Sequence, residues 1–497
     1  MVVAGLDVGT TGCKCSVYSD QGELKKEAYR EYIFPEACGD RELDAAVIWQ
    51  CVKEVIREAA LVSDPLKGIG VASMGEAAVL LDEADQPLCR PILYFDPRGQ
   101  EQIDRVIAAL GEERLYQITR MRPEKIYTIT KIMWEMDRDP EIIKKAAHLL
   151  LMQDYIVYML SGVAQIDYTL ATRTYAFDMN RMTWSDEILD VCGIPKNLWS
   201  KCVPTGTPAG YVKKEVAEEL GLSKDLLVVT GAHDQPAATI GNGVLYEGIG
   251  SDSTGTNECI TTVFEGKKHP DYLKSSEISC VPYVVADTYT TAVFSFAGGG
   301  MLKWYRKQLG KWEAKIAKER GIGFYDRMDE ILPKEPTELL VFPYFLGKGA
   351  PDMHPRARAC FIGLTMETTS EEIYRALMEG VSYELRMGLD YLKEQGIVVK
   401  ELRATGGGAR SENWLQIKAD IYGMPVHTMK VQEGGNLACG MLAAIAVGIY
   451  PDLESASKAF IHVDKTYLPD PNRKAFYDKQ YALYRTLVPK LHDIYDT

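Results

Sequence analysis

The chain has 497 residues, 46% of them hydrophobic, and a formal net charge of −14. Its length sets a soft prior of about three domains or two large ones, and its apolar share suffices for substantial cores. The acidic balance excludes a surface built to grip nucleic acid or an anionic membrane, which are held by Lys and Arg, although local basic groups could still hold a small phosphate.

The 11 cysteines form no CxxC pair, no CxxH spacing and no regular framework, so neither a zinc site nor a disulfide scaffold is indicated. A reducing cytosol is the expected home. The opening "MVVAGLDVGT" has no basic n-region and meets Asp7 early, and no uninterrupted apolar run approaches the ~18 residues of a spanning helix. A cytoplasmic protein with no membrane partner is the expectation.

In chain order, "VVAGLDV" and "CKCSVYS" read as strands, and "DAAVIWQCVKEVIREAALV" repeats its apolar residues at helical spacing. "GIGVASM" and "AAVLLDE" are again short apolar runs. Strands alternating with helices predict α/β layers. Around residue 230 the pattern restarts: "DLLVVTGAHDQPAATIGNG" leads into "EGIGSDSTGTNECITTVF". Gly5, Asp7 and Thr11 then coincide with Gly250, Asp252 and Thr256. Two halves on one plan, facing a shared cleft, would produce this; so would chance likeness between two Gly-rich hairpins.

Glycine weakens strands and Asp is depleted in them, so "GLDVGTTGCK" needs a reason. Two strands joined by Gly-Thr-Thr-Gly make a tight hairpin. Gly9, Thr10 and Thr11 would expose backbone N–H groups and hydroxyls at its tip, donors that suit phosphate oxygens. Asp7 beside phosphates makes sense only if a cation intervenes. Mg²⁺ is the natural one, being hard and usually held by one or two carboxylates plus substrate phosphates. Lys14 follows on the return strand. On these residues alone an ordinary hairpin with a solvated Asp is equally open. No GxxxxGK[ST] occurs, which excludes a P-loop.

"GLDVGTTGCK" resembles the first phosphate loop of the FGGY carbohydrate kinases, within the actin-like ATPase superfamily. The likeness recurs in order through "YFDPRGQE", "ITKIMWEMDRDPE", "DYIVYMLSG", "GAHDQPAATIGNG", "FPYFLGKGAPDMHPRARACFIGLT" and "ATGGGARSENWLQIKADIYGMPV". The resemblance implies an α/β fold of two ribonuclease H-like domains, with ATP and sugar bound in the cleft between them. Residues 1–245 would be the N-terminal domain with the first phosphate loop and the sugar site. Residues 246–497 would be the nucleotide-binding domain with a C-terminal helical extension. It further implies dependence on ATP and Mg²⁺, a small sugar or polyol as partner and, by the family's habit, a homodimer.

Phosphoryl transfer needs an in-line hydroxyl, a metal to neutralise phosphate charge, and a base for the hydroxyl proton. Asp234 matches the family's catalytic base. It stands in "GAHDQPAATIG", where small neighbours let a substrate come close and a strand gives way to a helix; Gln235 would meet the substrate beside it. Capping that helix is the competing role for Asp234, and His233 reads as a packing or hydrogen-bonding residue. Glu76 in "SMGEAAVLLD" and Asp96 with Arg98 in "ILYFDPRG" correspond to segments that line the family's sugar pocket; the alternative for Asp96 and Arg98 is a surface ion pair.

The second phosphate loop is "DSTGTNE", with Gly255 and Thr256 on the nucleotide and Asp252 unassigned. Gly299 in "AGGGMLKW" would open a helix near the phosphates. Gly407 and Gly408 in "ATGGGAR" would pack flat on adenine and ribose, with Ser411 and Asn413 nearby. A dinucleotide loop would look similar, but Ser411 stands where its fingerprint wants Gly or Ala. Lys131 and Trp134 read as helix packing, and "FPYFLGKGAPDMHPRARACFIGLT" mainly as architecture.

Substrate identity does not carry over. Xylulose kinases usually have Met-His where this chain has Met74-Gly75, glycerol kinases have Arg-Glu at Gly75-Glu76, and the relatives' Trp-x-Asp-x-Arg appears as Tyr94-Phe95-Asp96-Pro97-Arg98. A ketose such as xylulose, or a related polyol, is the leading expectation, with glycerol, an aldonate, ribulose or a tetrulose as alternatives. A nucleotide-gated ATPase of the actin or chaperone type is the competing class, though it has no need of Glu76, Asp96 and Arg98.

Overall fold

The computed structural model describes residues 1–39, 41–275, 278–431 and 433–495. The chain divides into two compact units: Met1–Gly243 with Ser279–Tyr289 and Glu433–His462, and Val244–Ile278 with Thr290–Gln432 and Val463–Thr497.

The first unit is built on β1 (Val2–Val8), β2 (Gly12–Ser19), β3 (Leu24–Glu31), β4 (Leu66–Ser73), β5 (Pro208–Tyr211) and β6 (Leu227–His233), in the spatial order β5-β6-β4-β1-β2-β3. The first three strands form an antiparallel meander, whereas β4 runs parallel to β1 and β6 parallel to β4. Val2, Ala4, Leu6 and Val8 alternate onto one face, in a core shared with Ile48, Val52, Val55 and Ile56 of the helix Ala45–Ala59. That helix carries its apolar residues at three- and four-residue steps. Its entry is fixed by Asp44, whose side chain accepts the N–H groups of Ala46 and Val47 at 3.0 and 3.1 Å.

The second unit uses β7 (Ile249–Thr254), β8 (Glu258–Glu265), β9 (Thr288–Ser295), β10 (Glu401–Gly406), β11 (Val426–Met429) and β12 (Val463–Tyr467), ordered β9-β8-β7-β10-β11-β12. Here too β8 is antiparallel to β7, β10 is parallel to β7, and β11 is parallel to β10. Strand for strand this repeats the first unit, so Gly5 with Asp7 and Gly250 with Asp252 fall on equivalent strands. Two long helices, Ser370–Glu394 and Pro471–Tyr495, meet through buried hydroxyls: Tyr477 donates to Glu379 at 2.7 Å and Tyr484 to Glu384 at 2.8 Å. Among the described residues no helix is long and apolar enough to cross a membrane.

The opposite face of the first sheet is covered by Gly434–Ala446, "GGNLACGMLAAIA", a helix of small and apolar residues buried on nearly every side. It lies backbone against backbone. A Cβ at Gly5 would stand 1.9 Å from the Asn436 carbonyl oxygen, one at Gly70 2.4 Å from that of Cys439, and one at Gly241 1.9 Å from that of Gly434. No rotamer change relieves a clash with backbone. Gly5→Ala is therefore expected to destabilise the first unit by about 3 kcal/mol or more, the upper part of the range for overpacking. Urea denaturation of the full chain measures it, and an unchanged midpoint would mean that helix and strand separate freely.

Candidate functional site

Strands β1, β4 and β6 of the first unit run parallel and end together, with Val8 and His233 both in register with Ser73. In open α/β sheets ligands sit beyond such carboxyl ends. The hairpin tip Gly9-Thr10-Thr11, the segment Met74-Gly75-Glu76 and the pair Asp234-Gln235 all leave the sheet at this edge.

The hairpin closes through the Gly9 N–H, which donates to the Gly12 carbonyl at 3.0 Å. Asp7 is the cross-strand partner of Lys14, whose ammonium lies 3.0 Å from Glu433. One oxygen of Asp7, Oδ1, is buried with no hydrogen-bond partner among the described residues. Burial, then the charges of Asp234 and Glu433, push its pKa up to about 7. Among the described residues no group of three or more His, Cys, Asp or Glu is arranged to hold a metal by itself. An ion that takes most of its ligands from phosphate and water needs only one or two carboxylates, and the orphaned oxygen of Asp7 could serve it.

Asp234 is the first residue of the helix Asp234–Gly241, and the N-cap position falls on His233 without a side-chain cap bond. The capping role left open by the sequence is thus not taken. Its carboxyl is 35% exposed, with Oδ1 3.1 Å from His233 Nε2. Burial raises its pKa to about 6, while burial and the Arg173 charge lower that of His233 to about 4, so the imidazole stays neutral. Gln235 is exposed beside it.

Glu76 is buried and held at φ 63°, a left-handed conformation uncommon for a residue with a side chain. The Thr128 hydroxyl donates to its carbonyl at 2.7 Å. Arg173 donates Nε to its Oε1 at 2.6 Å and adds a second bond to the same oxygen from its terminal nitrogen, with the guanidinium 5.3 Å from the centre of the Tyr127 ring. Gly75 makes room for this. A Cβ there would stand 2.9 Å from His233 Nε2 and 3.3 Å from Arg173 Cγ.

Asp96 and Arg98 form a bidentate pair at 2.7 and 2.9 Å, and Arg98 also reaches Glu42 at 2.8 Å. Unlike a surface pair, Asp96 is buried, and its turn is held from below. The Lys131 ammonium donates to the carbonyls of Asp96, at 2.9 Å, and Arg98, while the Arg98 guanidinium stacks 4.7 Å from the Trp134 ring. Burial lowers the Lys131 pKa to about 8. Lys131 and Trp134 therefore do more than pack a helix; they shape the Asp96–Arg98 turn.

In the second unit a cavity of about 490 Å³ opens at the carboxyl ends of β7 and β10. Gly255, Thr256, Gly299, Gly407, Gly408 and Ser411 line it, together with Tyr325, Tyr374 and Trp414. Asn413 does not line it. Its amide donates to the Asp329 carbonyl at 3.1 Å, and Ser411 donates to the Asp329 carboxylate at 2.8 Å, so both hold a residue that does. The helix Gly299–Gln308 spends its first two N–H groups on the hairpin: Gly299 donates to the Gly255 carbonyl at 2.8 Å and Gly300 to that of Thr256 at 3.0 Å. These two donors are occupied by the loop itself.

With two repeated sheets, two glycine hairpins and a cavity at the strand ends in view, comparison with known proteins decides the family. The pattern of the FGGY family of carbohydrate kinases matches residues 2–241 for its N-terminal domain and 252–447 for its C-terminal domain. The chain belongs to this family. It is 26% identical to the xylulose kinase of Lactococcus lactis, over 99% of this chain and 97% of that one. It is 29% identical to the gluconokinase of Bacillus subtilis, over 98% and 94%. Ligand-bound xylulose kinase from Lactobacillus acidophilus superposes with a TM-score of 0.85 at 25% identity, covering 100% of this chain and 99% of that one. The fold is that of the actin-like ATPases, and the chain is an ATP-dependent carbohydrate kinase. Kinases of this family use ATP with a divalent metal.

Within this FGGY kinase the residues that sequence reasoning missed are those joined across long separations: Arg173, Glu42, Asp329 and Lys418. Lys418 explains Asp252. Its fully buried ammonium lies 2.6 Å from Asp252, 2.9 Å from Glu258 and 2.7 Å from the Thr254 hydroxyl, beneath the β7–β8 hairpin. Burial raises the Glu258 pKa against the pull of Lys418, and Asp252 raises it further. The carboxylate at the place equivalent to Asp7 is here consumed by an internal cation. Lys418→Met would leave two buried carboxyls without their cation, and a loss of about 3–5 kcal/mol is expected. Denaturant unfolding reads it, and the triple variant K418M/D252N/E258Q should recover much of the loss.

Proposed function

We propose that this FGGY kinase transfers the γ-phosphoryl group of ATP to a hydroxyl of a ketose such as xylulose, or of a related polyol, with Asp234 as general base. The observation that carries the reading is the convergence at one sheet edge of Asp234, Asp7 and the glycine hairpin, with the Asp7 carboxyl electrostatically sensitive to Asp234. A carboxylate at a strand–helix junction among small residues can approach an acceptor hydroxyl and take its proton as the oxygen attacks phosphorus.

Mg²⁺, held in part by Asp7, would neutralise phosphate charge when bound. Lys14 and the N–H groups of Gly9, Thr10 and Thr11 would receive phosphate oxygens. Glu76, Asp96 and Arg98 would orient the acceptor by hydrogen bonds to its other hydroxyls, with Gln235 beside the base. The cavity lined by Gly407, Gly408, Tyr325 and Trp414 would take the nucleoside, with Gly255, Thr256 and Gly299 toward its phosphates. The assignment of the acceptor as a ketose draws on the xylulose kinases among its relatives.

Asp234→Asn is expected to lower kcat about 10²- to 10⁴-fold, the usual worth of a positioned base, with ATP affinity changed less than about twofold. Coupled ADP release and nucleotide titration separate the two, and unchanged turnover would end the assignment. The pH profile follows from the raised pKa. Since the base must be ionised and titrates near 6, kcat should fall as pH drops through about 6 and level off above it. A profile still flat down to the ordinary carboxylate range would place the base elsewhere.

A further inference from the structure

Between Gly299 and Trp312 the chain has four cations, Lys303, Arg306, Lys307 and Lys311, and no Asp or Glu, in a protein whose net charge is −14. Steps of three and four residues bring them to one face of the helices Gly299–Gln308 and Lys311–Arg320, where with Ala314 they line a groove of about 460 Å³. All four are exposed, and none has an ion-pair partner among the described residues; the Arg306 guanidinium lies 5.5 Å from the centre of the Phe324 ring. The acids of the second helix are engaged elsewhere, Glu313 with Arg327 at 2.7 Å and Glu319 with Lys315 at 3.8 Å. Lys303 belongs to two places at once. It lines this groove and also the cavity of the second unit, one turn into the helix whose first N–H groups bond the Gly255-Thr256 hairpin. The two acids of that cavity come from a different helix, Phe324–Ile331, and both carry internal bonds: Asp326 accepts the Gly323 N–H at 3.1 Å and Asp329 the Ser411 hydroxyl at 2.8 Å.

We propose that this groove is an electrostatic capture surface for the phosphate tail of ATP, in which Arg306, Lys307 and Lys311 draw the nucleotide to the cavity and Lys303 binds its phosphates there. The inference rests on the reading of that cavity as the nucleotide site and deepens it. ATP stays anionic even when paired with one divalent cation, so a strongly acidic protein repels it at long range. At physiological salt charges are screened beyond about 8 Å, and the cations at the entrance therefore outweigh the distant acids of the molecule. A cleft lined by one sign of charge raises the local concentration of its counter-ion and its on-rate by about 10- to 10³-fold. Exposed cations that hold no carboxylate keep their whole charge for this purpose. A nucleoside without phosphates gains nothing from them.

The test follows ATP, ADP and adenosine binding to the full-length enzyme, without acceptor, by calorimetry and by stopped-flow tryptophan fluorescence, Trp414 lining the cavity. Salt is varied from about 20 to 500 mM, which shortens the screening length several-fold. At low salt Lys307→Glu with Lys311→Glu should cut the ATP association rate and affinity by about fivefold or more, ADP less, with dissociation nearly unchanged and the difference closing at high salt. Lys303→Gln should weaken ATP at both salt concentrations and speed its dissociation, while adenosine affinity stays within about twofold in every variant. Equal ATP association by the wild type and the double variant at low salt would overturn the capture surface. An equal loss for adenosine would do so too, since it marks a distorted pocket and not a lost charge, and ATP affinity unmoved in Lys303→Gln would overturn the part given to Lys303. ATP binding undiminished by Gly407→Trp, which fills the cavity, would defeat the nucleotide reading and this inference with it.

Discussion

Where a helix lies directly on a sheet, carbonyl against Cα, the permitted side chains at the contact shrink to hydrogen. The helix Gly434–Ala446 meets β1 at Gly5, β4 at Gly70 and the helix Asp234–Gly241 at Gly241 in this way. The charged groups of the first unit take their places from that contact. Asn436 donates to the Lys14 carbonyl at 3.3 Å and to the Ser16 hydroxyl at 2.8 Å, gripping the return strand of the hairpin. Glu433, just before the helix, pairs with Lys14 at 3.0 Å, and Glu27 lies 3.8 Å from the same ammonium. A displacement of the helix by even the width of a methyl group would therefore alter the distance between Asp7 and its strand-opposed cation, Lys14. The same helix pins the far end of the segment that begins with Asp234. Close packing, which is usually a matter of stability, here also sets the electrostatics.

The two units show how one topology can give two chemical outcomes. Asp7 and Asp252 sit near the ends of equivalent strands, each at the root of a glycine-containing hairpin. Asp7 faces a lysine of its own hairpin that a second acid competes for, so its burial goes uncompensated and its pKa climbs. Asp252 faces a lysine from a helix more than 160 residues later in the chain, with no solvent near. A buried carboxylate with a dedicated cation is a structural element, whereas one without is available to a ligand that brings positive charge. Lys418 also fixes the Thr254 hydroxyl. Thr254 in turn sets the positions of Gly406 and Gly408, where a Cβ would stand 2.5 Å from its carbonyl oxygen and 2.6 Å from its Cβ. The loop that lines the cavity of the second unit is thus positioned from beneath by an ion cluster, Asp252, Glu258 and Lys418, that is not part of the cavity's lining.

What the sequence made legible was local. The Gly-Thr-Thr-Gly hairpin, the strand-to-helix junction at His233-Asp234 and the glycine turn after β10 each depend on residues within a few positions of one another, and each stands where the spacing places it. Even the kinship of the halves showed through, because glycine and aspartate recur at matching strand positions. The long-range pairings did not. Arg173 lies 97 residues from Glu76 and Glu42 lies 56 from Arg98, and nothing in a lone arginine or glutamate announces its partner. Lys131 sits on a helix whose apolar spacing is all that periodicity can report, and its ammonium finds two backbone carbonyls, which carry no sequence signal at all. The return of Glu433–His462 to the first unit is equally silent, since a buried helix of small residues reads the same wherever it packs.

Glu76 is the point at which these threads meet. A left-handed backbone conformation in a residue with a side chain costs about 1–3 kcal/mol and persists only when its surroundings over-determine it. Here the Thr128 hydroxyl holds the carbonyl and Arg173 holds the carboxylate, while Gly75 leaves the preceding position empty so that both can close in. Glycine at 76 would relieve the backbone and discard the carboxylate. An ordinary extended glutamate would keep the carboxylate and send it in another direction. The strained residue keeps both its charge and its aim, with the Arg173 side chain already set against it. Preorganisation of this kind saves the cost of ordering side chains on binding.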